Sequence, residues 1–125
     1  MAITQKSIVI GLLFLATLVT GIWLGQLGKP LNPALSGVHK LVALAWVIFS
    51  AIYIFHAPRP IDARTAFFAT IAVLAISMVA LIASGSVLTV PKLASAAWLA
   101  VHRIATVSGA AAFAFMLRLF ILNRQ

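Results

Sequence analysis

The chain has 125 residues, of which 64% are hydrophobic and 8% charged, and its mean hydropathy is +1.18. A soluble domain is about half apolar and a quarter charged, so a water-soluble fold is excluded, and disorder goes with it because that needs low hydrophobicity and dense charge. The absence of cysteine removes disulfides, thiolate zinc or iron–sulfur ligation and cysteine nucleophiles, while a single acidic residue, Asp62, removes paired-carboxylate catalysis.

Four apolar runs follow one another, divided by proline, glycine and charge. The first covers residues 7–27 and is stopped by Gly28, Lys29 and Pro30. Its apolar stretch is too long for a signal-peptide core and no small-x-small cleavage site follows, so it is read as a helix. The second opens at Asn32 and Pro33, a cap residue followed by a proline at the first helical position, and closes near His56 before Pro58 and Pro60. The third covers 63–88, ahead of Pro91, and the fourth 95–122. Each reaches the roughly 20 residues that cross a hydrocarbon core of about 30 Å, and only helices satisfy an open chain's backbone there. Short connections then predict an all-α membrane protein, a four-transmembrane-helix bundle of up-down-up-down topology.

The net charge of +8 lies at the ends of these runs, where it meets lipid phosphates rather than nucleic acid. Lys6, Arg59, Arg64, Arg118 and Arg124 fall on the side of the termini, and Lys29, Lys40, Lys92 and Arg103 on the other. The small excess places both termini in the cytoplasm of a bacterial cell, with the protein integral to its cytoplasmic membrane. Trp23 and Trp98 fall at helix ends as interfacial anchors.

The two halves echo each other at an offset of about 63 residues. Val19-Thr20-Gly21 matches Ala83-Ser84-Gly85, Pro30 matches Pro91, and Val38-His39-Lys40 matches Val101-His102-Arg103. The pattern reads as a duplicated helical hairpin, 1–62 and 63–125. Parallel repeats are related by an axis along the membrane normal, which sets His39 and His102 at matching depth. Offsets of 7, 11 and 14 put Trp46, Ser50 and Tyr53 on the His39 face, and Gly109, Phe113 and Met116 on the His102 face. Large then meets small at matched depth, Trp46 with Gly109 and Ser50 with Phe113, as two faces packed inward require.

A histidine within a membrane span is costly and points to function; its alternative role is a hydrogen bond that ties helices together. A symmetric pair suits metal or haem ligation. Bare zinc or copper would be left with an underfilled shell by two imidazoles alone, whereas haem brings four equatorial nitrogens and asks for two imidazoles. Lys40 and Arg103 follow the two histidines and suit propionates, although both also read as snorkelling interfacial cations. Gly109 leaves room for a ring edge or serves as a helix-packing notch. His56, at the far end of the second helix, reads as an interfacial residue favoured by the helix dipole, with a proton or quinone-headgroup role as the alternative. Thr17, Gly21 and Gly25 have the spacing of close helix packing, and Ser77 and Ser84 are expected to bond back within their own helix.

These features resemble the four-helix membrane b-type cytochromes, which hold haem between inward histidines on different helices. The resemblance implies one haem b ligated by His39 and His102 between the second and fourth helices, with Lys40, Arg103, Trp46 and Gly109 around it. Two-haem members carry a further histidine about 14 residues deeper, where this chain has Tyr53 and Met116, so one haem per chain is the expectation. The role implied is a one-electron relay rather than a stand-alone enzyme, exchanging electrons with a quinol or a redox partner, alone, as a homo-oligomer or in a larger membrane complex. The alternatives are a cofactor-free accessory subunit and, third, a small transporter, which would lack the usual intramembrane carboxylate because Asp62 lies in a loop.

Overall fold

The computed structural model of the protein describes residues 3–59 and 61–122. Pro60, expected as a helix breaker, and Arg124, counted among the flanking charges, lie outside the described residues. The structure is all-α, with α1 (Ile3–Leu27), α2 (Pro33–His56), α3 (Arg64–Leu88) and α4 (Ala96–Leu122) in chain order. All four are long and apolar enough to cross a membrane. At 1.5 Å per residue even the shortest spans about 36 Å. Helix α1 begins earlier than its apolar run, taking in Gln5 and Lys6, because long polar side chains are good helix formers.

The helix ends are built as their sequences require. Asn32 caps α2: its side-chain Oδ1 accepts from the Leu35 N–H at 3.0 Å, and its carbonyl accepts from the Ser36 N–H at 2.9 Å. Pro33 follows at the position where a missing N–H costs nothing. Ser95 does the same for α4, its Oγ 3.4 Å from the Trp98 nitrogen and its carbonyl 3.1 Å from that of Leu99. Gly28 ends α1 at φ 73°, a left-handed backbone that glycine adopts without a Cβ clash.

The chain forms two compact units that divide between His56 and Ala57. In the first, α1 and α2 make an antiparallel hairpin whose rungs can be followed from one end to the other. Ser7 Oγ is 3.1 Å from Tyr53 Oη, the Phe14 and Trp46 rings lie 5.3 Å apart, and Thr20 meets His39 nearest the loop. In the second, α3 and α4 pair in the same sense. The Phe67 and Phe120 rings are 6.0 Å apart, the Ser77 and Ser108 hydroxyls 2.8 Å apart, and Ser84 meets His102 nearest the loop.

The middle rungs differ in kind. Hairpin one fills its gap with two aromatic rings, a pair worth about 0.5–1.5 kcal/mol beyond the area it covers. Hairpin two instead uses small residues, with Gly109 presenting its bare Cα face to Ser77, where an added Cβ would lie 3.4 Å from the Ser77 Cβ. Ser77 therefore departs from the expected back-bond: its hydroxyl is joined to Ser108 across the hairpin, because Gly109 lets the helices come close enough. Outward faces carry Leu12, Ile22, Leu41, Ile76, Val79, Ile104 and Val107, all exposed, a surface that suits acyl chains rather than water.

That notch is testable. Gly109→Leu should lower unfolding stability by about 1–3 kcal/mol through overpacking against Ser77, while Gly109→Ala, whose Cβ would meet Ser77 at 3.4 Å, should not be destabilising, because the helix-propensity gain offsets the contact. Denaturant or thermal unfolding of the purified protein in detergent provides the comparison.

Candidate functional site

His39 is the seventh residue of α2 and His102 the seventh of α4, so each stands about two turns below its helix start. Both rings are half-buried, and each is turned toward the odd-numbered helix of its own hairpin. Nδ1 of His39 is 3.0 Å from Thr20 Oγ1, and Nδ1 of His102 is 2.8 Å from Ser84 Oγ.

The hydroxyls decide which nitrogen carries the proton. Each has one hydrogen to give. Thr20 Oγ1 lies 2.8 Å from the Ala16 carbonyl oxygen, and Ser84 Oγ lies 2.5 Å from that of Ala80. A carbonyl can only accept, so without a hydrogen between them those oxygen pairs would repel. The hydroxyl hydrogens therefore point back into α1 and α3, and the hydroxyl oxygens accept from the ring Nδ1–H. Each Nδ1 is thus a protonated, donating ring nitrogen, which in a neutral imidazole leaves the in-plane lone pair on Nε2.

Glycine makes room for each ring. A Cβ built on Gly21 would lie 3.0 Å from His39 Cε1, and one on Gly85 would lie 3.4 Å from His102 Cε1. The unit is accordingly a hydroxyl, then a glycine, on one helix and a histidine on the next, and it occurs once in each hairpin. The expected tight packing of Thr17, Gly21 and Gly25 is realised at Gly21, against an imidazole. Gly25 faces open space, and Thr17 bonds back to the Leu13 carbonyl.

The remaining residues singled out by sequence fall as follows. Lys40 and Arg103 are exposed, one residue beyond each histidine. Trp46 is 3% exposed and lies on Phe14, and Gly109 is buried against Ser77. Ser50, Tyr53, Phe113 and Met116 are buried as well, so the two faces that carry the histidines are the buried faces of their helices. Ser50 Oγ finds no hydrogen-bond partner among the described residues. His56 closes α2 and donates its Nδ1–H to the Ile52 carbonyl at 2.9 Å, an exposed capping role. Ser84 does bond back within its helix, as expected, and that same bond frees its oxygen to accept from His102. Thr20 and Ser84 are the residues whose part the sequence reading missed. The signal was present in the repeat, since a hydroxyl precedes the glycine in both copies.

Comparison with known proteins finds no matching family model, no matching curated protein and no matching solved structure.

The two glycines should respond differently to a methyl group. Gly→Ala within a helix gains about 0.8–1.0 kcal/mol of propensity. Gly85→Ala, with its Cβ in near-ordinary contact, should keep most of that gain. Gly21→Ala must displace the His39 ring and should lose it, leaving the pair of variants about 1 kcal/mol apart in unfolding measurements.

Proposed function

We propose that the protein is a small integral-membrane b-type cytochrome in which Nε2 of His39 and Nε2 of His102 are the two axial ligands of one haem b. The observation that carries this reading is the duplicated hydrogen bond: two histidines at the same helical position, each with Nδ1 held by a hydroxyl of the preceding helix, which turns Nε2 into the ring nitrogen that could ligate. Metal-bound histidines almost always donate the other ring N–H in this way, which fixes the ring and raises the basicity of the ligating nitrogen. The donor set suits haem in number as well. With no cysteine and one carboxylate in the chain, two imidazoles fall short of the four donors of a structural zinc site but match the axial pair of a b-type haem.

Bound there, haem would supply a one-electron iron couple in a low-dielectric setting. The chain's own contribution is divided among a few residues. His39 and His102 ligate, and Thr20 and Ser84 hold them. Lys40 and Arg103, exposed beside the ligands, are placed to meet propionates. Trp46 and Gly109 lie two turns deeper on the same helix faces. The role is an electron relay to a quinol or a redox partner protein, in a bacterial cytoplasmic membrane with both termini inside.

The same hydrogen bonds favour a second reading, a cofactor-free accessory subunit in which the histidines only tie each hairpin together. An absorption spectrum separates the two. Protein purified in detergent from haem-replete cells should show a dithionite-reducible b-type spectrum, and His39→Ala or His102→Ala should each abolish the low-spin signal. A colourless wild type overturns the cytochrome reading in favour of the second.

A further inference from the structure

We infer that Thr20 and Ser84 are positioning residues that set the tautomer and the donor strength of the two ligand imidazoles, with Ser84 the stronger of the two. The inference rests on the haem reading above and extends it to residues that would touch neither iron nor porphyrin. Each histidine begins a short relay, from Nδ1–H to a hydroxyl oxygen and from that hydroxyl to a helix carbonyl. In the first hairpin the links are 3.0 Å and 2.8 Å, ending on Ala16. In the second they are 2.8 Å and 2.5 Å, ending on Ala80. Hydrogen bonds in series polarise one another, and more so where the dielectric is low. Ser84 is fully buried, at 0% exposure, whereas Thr20 is half-buried.

A hydroxyl whose own hydrogen is drawn toward a carbonyl is the better acceptor, so it pulls harder on Nδ1–H and leaves more electron density on Nε2. An electron-richer ligand favours ferric over ferrous iron, and each relay therefore lowers the reduction potential. The second relay is shorter at both links and its hydroxyl is fully buried, so it does so more. Thr in one hairpin and Ser in the other share the hydroxyl and differ by a methyl group, which places the function in the oxygen.

The test begins on haem-free protein with 15N-labelled histidine. Nitrogen NMR should show Nδ1 protonated and Nε2 unprotonated at both His39 and His102. Thr20→Val and Ser84→Ala should each erase that preference at their own histidine, while Thr20→Ser and Ser84→Thr keep it. In haem-loaded protein the two disruptive variants should bind haem about 10- to 100-fold more weakly and show a raised potential, more so for Ser84→Ala. Thr20→Val is nearly isosteric and carries the test by itself should Ser84→Ala fail to fold. Wild-type rings protonated on Nε2 would overturn the inference. So would variants that melt earlier yet keep tautomer, haem affinity and potential. If no form binds haem while the NMR result holds, the cytochrome reading falls and the control of the tautomer by Thr20 and Ser84 stands.

Discussion

A ring N–H inside hydrocarbon must find an acceptor, and the rest of this structure is arranged around meeting that demand twice. Two helices in lipid gain little from apolar contact, since acyl chains are as apolar as leucine. What draws them together is close packing and the few polar bonds that can be made between them. In each hairpin the histidine supplies a donor, and the facing helix supplies a hydroxyl together with a glycine that lets the ring approach. At Gly21 even a methyl group would press on the imidazole, and at either glycine a bulkier side chain would hold the ring away from the oxygen. A residue without a hydroxyl would leave Nδ1–H to compete for backbone. The two requirements have to be met by adjacent residues, and in both copies they are, at Thr20-Gly21 and Ser84-Gly85.

The energy involved argues against stability as the sole reason for the arrangement. A polar bond between membrane helices is worth about 0.6 kcal/mol on average and about 1.7 at most. Placing an ionisable side chain at the same depth costs more than that unless it stays neutral and paired. Ser77 and Ser108 tie α3 to α4 with hydroxyls alone, and Phe14 with Trp46 tie α1 to α2 with rings alone, so either hairpin has a cheaper way to hold itself together. The middle rungs have diverged between the hairpins, aromatic in one and small in the other. The histidine rung has the same form in both.

The parts of the fold that depend on composition and local chemistry are legible in the sequence. Four spans follow from hydropathy, and their ends from Asn32, Pro33, Ser95 and Gly28, whose roles are set by residues within one turn. The burial of these faces is equally legible, because Trp46, Ser50 and Tyr53, and Gly109, Phe113 and Met116, recur at helical spacing from the histidines, but their partners are not: the expected pairing set Trp46 against Gly109, whereas Trp46 lies on Phe14 and Gly109 on Ser77. What could not be read was which partner each polar group would choose. Ser77 and Ser84 sit seven residues apart on one helix, so a local rule treats them alike. The neighbour on α4 separates them, Ser108 in one case and His102 in the other. Gly25 shows the same limit, since its spacing matches Gly21 yet no described residue comes within 4 Å of where its Cβ would stand. The hydroxyl–histidine bond is likewise a property of two helices, visible in sequence only as an unexplained repetition.

On the cytochrome reading, two influences on the iron oppose each other, and their surroundings decide between them. Lys40 and Arg103 are positive and would favour the reduced form, raising the potential. The hydroxyl relays enrich the ligands and would lower it. Two unit charges 4 Å apart interact by about 1 kcal/mol in water and about 4 at an effective dielectric of 20, so the cations would dominate if they were buried and unpaired. They are exposed, on stems long enough to carry the charge to the interface, where lipid phosphates meet it. Their influence then follows the membrane's composition and the ionic strength. Ser84 has no such freedom, because it is fully buried and its hydrogen is committed to the Ala80 carbonyl. The relay through Ser84 is therefore the part of the balance that the chain itself fixes, and the two cations are the part left to the surrounding lipid.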